Sequence, residues 1–467
     1  MKTKEGANTY YHSMDHTLEF FSKAGSAFMK KKSFYQGEQS AISLFTPSWI
    51  ANQELTFKLL LWLRDCRGGA GNRSGARECM KFLAQNFPEW MKANIQWFPK
   101  VGRWDDLRVL FGTPLENDAV ELWATAILKR DQLAAKWADR TDTPLRKFIN
   151  LSIGDFRRML ADIRKNGIVE YKMCSSQWES IVYNHVPSVA MARYTNAFKK
   201  HDLERFNAYK ESLKKGETTV HASVLFPHDC VRTAMNGDEE IADAQFDALP
   251  NFMEEGKNVM VIADTSGSMN QLVAGSISAA EVSQGLALYC SAKMPTDSPF
   301  YKRFIQFCSE SHLTDWRAYS FSEAVKNIFN NAVGTTRIDT ALQLILRIAV
   351  NKKIPQELMP STLMILSDMQ FTSGCENTKE TEVEYALDKF VSAGYQKPNI
   401  LYWNLAQYKG SPATVNMENV GLISGFSPSI LKAVFEGTDF SPKAIMLRTM
   451  EKYSEIVIPD FPGNRLG

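Results

Sequence analysis

The 467-residue sequence predicts an all-helical array followed by a doubly wound α/β domain. Three observations carry that expectation. Apolar residues recur at three- and four-residue spacing from about Asn52 to Lys215, which is the helical period. From Gly256 onward, short β-branched runs alternate with amphipathic ones at crossover spacing, as in a parallel sheet covered by helices. The charge divides the same way: residues 1–216 hold about 34 Lys/Arg against about 23 Asp/Glu, and the remainder about 20 against about 29.

In the front half, LTFKLLLWLRDC is an amphipathic run, with Gly68-Gly69 placed to end it in the left-handed cap conformation. ARECMKFLAQNF, DDLRVLF, AVELWATAILKRDQLAAKWA, IGDFRRMLADIRKN and MARYTNAFKKHDLERFNAYKESLKK follow across short breaks. They predict a HEAT-like stack of helices, without a clean sequence repeat. From about Gly216 apolar pieces mix with the acidic stretch GDEEIADAQFD, and HASVLFPHDCV reads as the last helical element. The expected division is therefore a helical domain over 1–235, a connector over 236–256 and an α/β domain over 257–467.

The α/β domain opens with KNVMVIADTS, an apolar run ending in small polar residues, as a buried parallel strand does. YKRFIQFC, STLMILSDMQF and NILYWNLA are further strands, separated by helices in ISAAEVSQGLALYCSAK, DTALQLILRIAVNKK and VEYALDKFVSAG.

Composition narrows the function classes. Hydrophobic content of 44% with 23% charged residues is that of a globular chain and argues against disorder. The start has no apolar core behind its lysines and no run of eighteen apolar residues follows, so neither a secretory signal nor a membrane span is expected. The seven cysteines (66, 79, 174, 230, 290, 308 and 375) are odd in number and lack metal-site spacing. They read as reduced thiols of a cytoplasmic protein.

The chemistry-bearing residues cluster at the predicted sheet edge. In a doubly wound sheet, ligands bind beyond the carboxyl ends of the strands at the topological switch point. Asp264, Ser266 and Ser268 form D-x-S-x-S directly after the first strand, and Asp368 ends the strand LMILSD. Thr336, in VGTTRIDTAL, opens the helix before that strand. Five oxygen side chains from three segments suit a hard cation, Mg²⁺ or Mn²⁺. With only two carboxylates among them, the ion stays electrophilic toward an outside carboxylate or phosphate.

DTSGSM, GTTRIDTAL and ILSDMQF together resemble the von Willebrand factor A fold with its metal-ion-dependent adhesion site, over about residues 257–440. The resemblance implies that Asp264, Ser266, Ser268, Thr336 and Asp368 are the metal ligands. Where that family often has Gly-Gly-Thr, this chain has Gly334-Thr335-Thr336, so Thr335 is a rival for the threonine role.

The basic half carries Arg64, Arg67, Arg73 and Arg77 around GGAGNRSG. A nucleotide-binding loop is excluded there, because a helix precedes it and no GK[ST] follows. Arginines on such a loop can grip phosphate bidentately, and Arg157 and Arg158 add further positive charge. TKEGANTYYHSMDHTLEFFSKAG, LLLWLRDCRGGAGNR, PKVGRWDDLRVLF and AAKWA resemble the TROVE module of the Ro ribonucleoprotein family. They also resemble a sister family of unknown function, as does LISGFSPSILKAVFEG. The resemblance implies a HEAT-repeat module that binds small structured or misfolded RNA, followed by a von Willebrand A domain.

No catalytic arrangement is expected, since HExxH and nucleophile-elbow motifs are absent and no base is evident beside the metal residues. The expectation is an RNA-binding scaffold whose metal-ion-dependent adhesion site holds a partner. The alternative is a metal-dependent protein-interaction or assembly factor, viral or phage-borne, without RNA.

Overall fold

A computed structural model describes residues 2–26, 40–165, 167–218, 220, 225–253, 257–274, 276–329, 334–373, 381–406, 410–415 and 417–459. The front half is helical throughout, and the back half is built on a six-stranded sheet. Strands are numbered in chain order: β1 Val259–Asp264, a small hairpin of β2 Leu272–Ala274 and β3 Ile277–Ser278, β4 Arg303–Phe307, β5 Ser311–Asp315, β6 Thr362–Ser367, β7 Asn399–Asn404 and β8 Val420–Ser424. The main sheet runs β5-β4-β1-β6-β7-β8, parallel except for the β4–β5 pair.

Counted along the main sheet alone, this is the 3-2-1-4-5-6 order of a doubly wound fold, and its switch point lies between β1 and β6. Helix Ala279–Ala292 packs on β1, β4 and β6, while helix Ile338–Asn351 packs on β4 and β5 and against helix Glu382–Ser392. Every residue of β1 and β6 is buried, which is why both read as continuous apolar runs rather than alternating ones. Ser278 and Glu281 form a capping box that starts helix Ala279–Ala292 two residues past the hairpin turn.

The expected helices are present: Gln53–Arg64, Arg73–Asn86, Glu116–Leu128, Gln132–Trp137, Ile153–Arg164, Ser188–His201 and Leu203–Lys214. DDLRVLF forms a tighter 3₁₀ turn, Trp104–Leu110. Gly68-Gly69 is not the left-handed cap. The helix stops at Arg64 and the left-handed residue is Gly71, at φ 71°. Gly69 is needed for close approach instead, since a Cβ there would stand 2.1 Å from the Trp62 carbonyl oxygen.

The division at 235 and 257 does not separate two cores. Helix Glu239–Asp247 fills the expected connector. It packs with helices Pro227–Met235 and Phe321–Asn327, while Pro227–Met235 lies against Ala279–Ala292. A Cβ at Gly285 would come within 2.7 Å of the His228 backbone, so small size is what lets those two helices touch. Phe20, Trp62, Trp90 and Trp123 of the helical half share one continuous core with Val261, Ile365 and Trp403 of the sheet. A second, smaller core gathers Tyr183, Met191, Phe198, Phe206 and Tyr209.

The chain ends cross over. Helix His16–Ala24 has Phe20 against Phe45 and Phe21 against Trp62, and its end meets β8 through the Ser424 hydroxyl, which donates to the Phe21 carbonyl at 2.7 Å. Residues 452–457 return to the helical half: Tyr453 donates to Asp65 at 2.8 Å, and Asn94 and Val457 exchange bonds of 2.7 and 2.8 Å.

Cys66, Cys79, Cys174, Cys230, Cys290 and Cys308 are free thiols, and Cys375 lies outside the described residues. Among the described residues, no helix is long and apolar enough to cross a membrane.

Candidate metal site and basic surface

β1 ends on Asp264, and the chain turns at once through Ser266 and Ser268 above the switch point. Thr265 anchors the turn by donating its backbone N–H to the Phe307 carbonyl at 3.0 Å. Asp264 accepts the Ser266 N–H at 2.9 Å on one oxygen and the Ser367 hydroxyl at 2.6 Å on the other. Asp368, one residue past β6, accepts the Gln370 N–H and the Gln271 side-chain amide, each at 3.1 Å. The Ser266 and Ser268 hydroxyls are 3.1 Å apart.

Both carboxylates are almost fully buried, and burial raises the pKa of each. Asp264 is pushed up to about 7, by burial first and then by the nearby charge of Asp368, against the opposing bonds from Ser367 and Ser266. Two buried carboxylates this close repel unless a proton or a cation stands between them.

Thr336 is the fifth residue of the expected set. Its carbonyl accepts the Thr372 N–H at 2.8 Å and its own N–H donates to the Thr372 hydroxyl at 2.9 Å. Its hydroxyl is fully buried and has no hydrogen-bond partner. An orphaned buried hydroxyl costs about 1–3 kcal/mol, and a cation that took its lone pair would remove that cost. Thr335 faces away, donating its N–H to the Ser309 hydroxyl at 3.1 Å from an exposed position.

The donor set is hydroxyl-rich. Among the described residues, no group of three or more His, Cys, Asp or Glu side chains is arranged for a metal ion. Gln271 and Gln370 hold Asp368, Ser367 holds Asp264 and Thr372 holds the Thr336 backbone by hydrogen bonds, and no sequence motif marked these four.

The arginines of the basic half separate into two kinds. Arg64, only 2% exposed, bonds Asp106 through Nε at 2.7 Å and Nη2 at 2.6 Å. Arg77 binds Asp106 at 2.7 Å and Asp105 at 2.9 Å. Arg64 is thus turned inward and cannot meet a surface phosphate, and Arg77 is largely neutralised. The expectation for Arg64 is corrected by its burial, and Arg77, partly exposed, is tied with it to Asp106. Arg67 and Arg73 remain exposed, with Arg67 Nη1 donating to the Lys100 carbonyl at 2.6 Å.

Arg157 and Arg158 are exposed on helix Ile153–Arg164 and line a cleft of about 550 Å³ with Lys136, Arg140, Arg164 and Tyr171. Arg164 is fixed there by the carbonyls of Ala135 and Ala138, while burial and the neighbouring Arg140 lower its pKa. Lys136 pairs with Glu170 at 2.8 Å and Arg158 with Asp155 at 2.5 Å. Arg140 and Arg157 have no acidic partner among the described residues.

Fold and site together define a class: a helical array sharing its core with a doubly wound sheet that carries an oxygen-rich switch point. The family model for DUF2828, a domain of unknown function, matches residues 3–148 and 153–265, more than half of the chain, and the chain belongs to that family. A second model, DUF7788, also a domain of unknown function, matches residues 258–456. The DUF2828 match runs through β1 to Thr265, across the expected domain boundary.

The chain is similar to Uncharacterized protein L728 of Acanthamoeba polyphaga mimivirus, at 25% identity over 475 residues, covering 88% of this chain and 82% of that protein. It is also similar to the crystal structure of the Deinococcus radiodurans RO (RSR) protein. That match has a TM-score of 0.39 and 12% identity, and covers 93% of this chain and 99% of the other.

Proposed function

We propose that this chain is a binding scaffold, not an enzyme, with two ligand classes. Mg²⁺ or Mn²⁺ is held at the switch point by Asp264, Ser266, Ser268, Thr336 and Asp368, and the ion captures an acidic group of a partner. RNA, small and structured or misfolded, is held by the basic helical half. The observation that carries the metal reading is the pair of buried, mutually repelling carboxylates Asp264 and Asp368 at the switch point, and the buried, unpartnered Thr336 hydroxyl adds a donor in want of a partner.

The ion supplies Lewis acidity toward an outside oxygen, and the chain supplies the rest. Ser367 and the Ser266 N–H hold Asp264, while Gln271 and the Gln370 N–H hold Asp368, so the two carboxylates are oriented before any ligand arrives.

The RNA reading is supported by the cleft around Arg140 and Arg157, whose unpaired guanidinium groups suit phosphate oxygens and whose Tyr171 offers a ring for base stacking. Two measurements test the scheme. Saturating Mg²⁺ is expected to raise the melting temperature of the full chain but not of Asp264→Ala. Affinity for a small structured RNA is expected to fall steeply with salt. If the chain shows metal-dependent stabilisation but no RNA affinity above that of an acidic control protein, the RNA half is refuted and the assembly-factor reading takes its place.

A further inference from the structure

The basic cleft lies on a seam between the two cores. One wall is helix Ile153–Arg164, whose Phe156, Leu160 and Ile163 belong to the large core. The other is helix Val169–Cys174, whose Val169 belongs to the small one. Lys136, from helix Gln132–Trp137 of the large core, pairs with Glu170 at 2.8 Å and ties the two walls together.

The cleft volume, about 550 Å³, falls within the range of small-molecule sites, about 300–1,000 Å³. Lys136, Arg140, Arg157, Arg158 and Arg164 line it against the single carboxylate of Glu170. Glu170 neutralises Lys136 and also accepts the Tyr194 hydroxyl at 3.2 Å, while Asp155 neutralises Arg158. Arg164 bonds only the neutral carbonyls of Ala135 and Ala138, which leave its charge intact. Arg140 and Arg164 stand close enough to repel, and the nearby Asp139 offsets that only in part.

Three guanidinium groups without an ion pair thus surround one small volume. An extended strand brings one charge per nucleotide and must both enter and leave such a cleft. A di- or triphosphate brings several charges on adjacent phosphorus atoms, the density that clustered guanidinium groups match with paired N–H donors. Tyr171, Ile168 and Ala161 give the same lining an aromatic and apolar part on which a base can lie.

We propose that this cleft is a site for a free nucleoside di- or triphosphate, with Arg140, Arg157 and Arg164 on the phosphates and Tyr171 against the base. The inference goes beyond the RNA reading but uses the same cleft, so a bound nucleotide excludes a strand's phosphates from these arginines.

The test is calorimetric titration of the full chain with ATP, tripolyphosphate and adenosine. A chelator is present throughout, so that the switch-point site takes no part. ATP is expected to bind more tightly than tripolyphosphate, adenosine most weakly, and ATP to displace a small structured RNA. Joint replacement Arg140→Gln and Arg157→Gln, both at exposed positions, is expected to weaken ATP at least about tenfold. Tyr171→Leu is expected to weaken ATP roughly tenfold and to leave tripolyphosphate unchanged, a split that a merely structural role would not produce.

Tripolyphosphate binding as tightly as ATP, or ATP affinity that survives loss of both arginines, overturns the nucleotide assignment. RNA that still binds through those arginines then leaves the RNA reading standing. If ATP binds as expected and RNA does not, the nucleotide site stands and the RNA reading falls. If neither binds, both fall.

Discussion

Asp106→Asn tests the hub at the base of the basic loop. Asp106 is fully buried and accepts from Arg64 Nε and Nη2, from Arg77 Nε at 2.7 Å and from the Arg103 N–H at 2.8 Å. Removing its charge leaves the Arg64 guanidinium, 2% exposed, without a counter-ion, and breaking a buried pair this way costs about 3–5 kcal/mol. Arg64→Met is milder. Asp106 then keeps Arg77 and the Arg103 N–H, and the loss is that of buried hydrogen bonds, about 1–3 kcal/mol. Urea unfolding followed by tryptophan fluorescence reads both, with exchange of amides in helices Gln53–Arg64 and Arg73–Asn86 as the local check. An Asp106→Asn protein within about 1 kcal/mol of wild type, or one less damaged than Arg64→Met, would refute the inward placement of Arg64.

Three further outcomes follow from the sites. Asp264→Ala is expected to lose Mg²⁺-dependent stabilisation, seen as a melting temperature that no longer rises with added Mg²⁺. Thr336→Val is expected to weaken Mn²⁺ binding more than Thr335→Val, because only the Thr336 hydroxyl is buried without a partner; titration of the two variants giving the reverse order would move the role to Thr335. Joint replacement of Arg140, Arg157 and Arg158 by Gln is expected to reduce RNA affinity and flatten its salt dependence by about 2 in slope if three phosphate contacts are lost from a single strand. Metal affinity should not change, and an unaltered salt slope counts against the cleft.

The proposed metal residues could be picked out because the motif is local. D-x-S-x-S follows a fully apolar strand, and the doubly wound order places the end of LMILSD beside it. The Glu5 contact was not legible, since it meets Thr336 across 331 positions and nothing in TKEGAN marks it. Strand β5 escaped because SHLTD is a mostly exposed edge strand with little apolar pattern. Strand β8 carries Gly421 inside it, where a Cβ would come within 2.7 Å of Leu401, so packing selected a residue that argues against a strand. Arg64 read as a surface charge because composition was counted without direction. The clue was the unbroken apolar run Leu59 to Leu63, which marks a helix end buried all round and an arginine buried with it.

The same crossing of distant segments governs how the chain can be divided. A fragment ending at Gly216 holds every helix of the basic half through Lys214, most of the helical domain that the sequence pattern sets at 1–235. In the folded chain it loses the Tyr453 and Lys452 bonds to Asp65, the paired bonds between Asn94 and Val457, and the β8 contact beneath helix His16–Ala24. Asp65, 2% exposed, would then lose two of its donors, and the buried helix His16–Ala24 would present its sheet-facing side to water. Exposing even two large apolar side chains costs about 3–6 kcal/mol, comparable with the net stability of many domains. The isolated 1–216 fragment is therefore expected to exchange its amides fast and to be cut early by protease near residue 65, and adding the separately made 217–467 fragment is expected to restore protection. A fragment that melts cooperatively at the temperature of the full chain would show that the helical half stands alone and that the shared core contributes little to its stability.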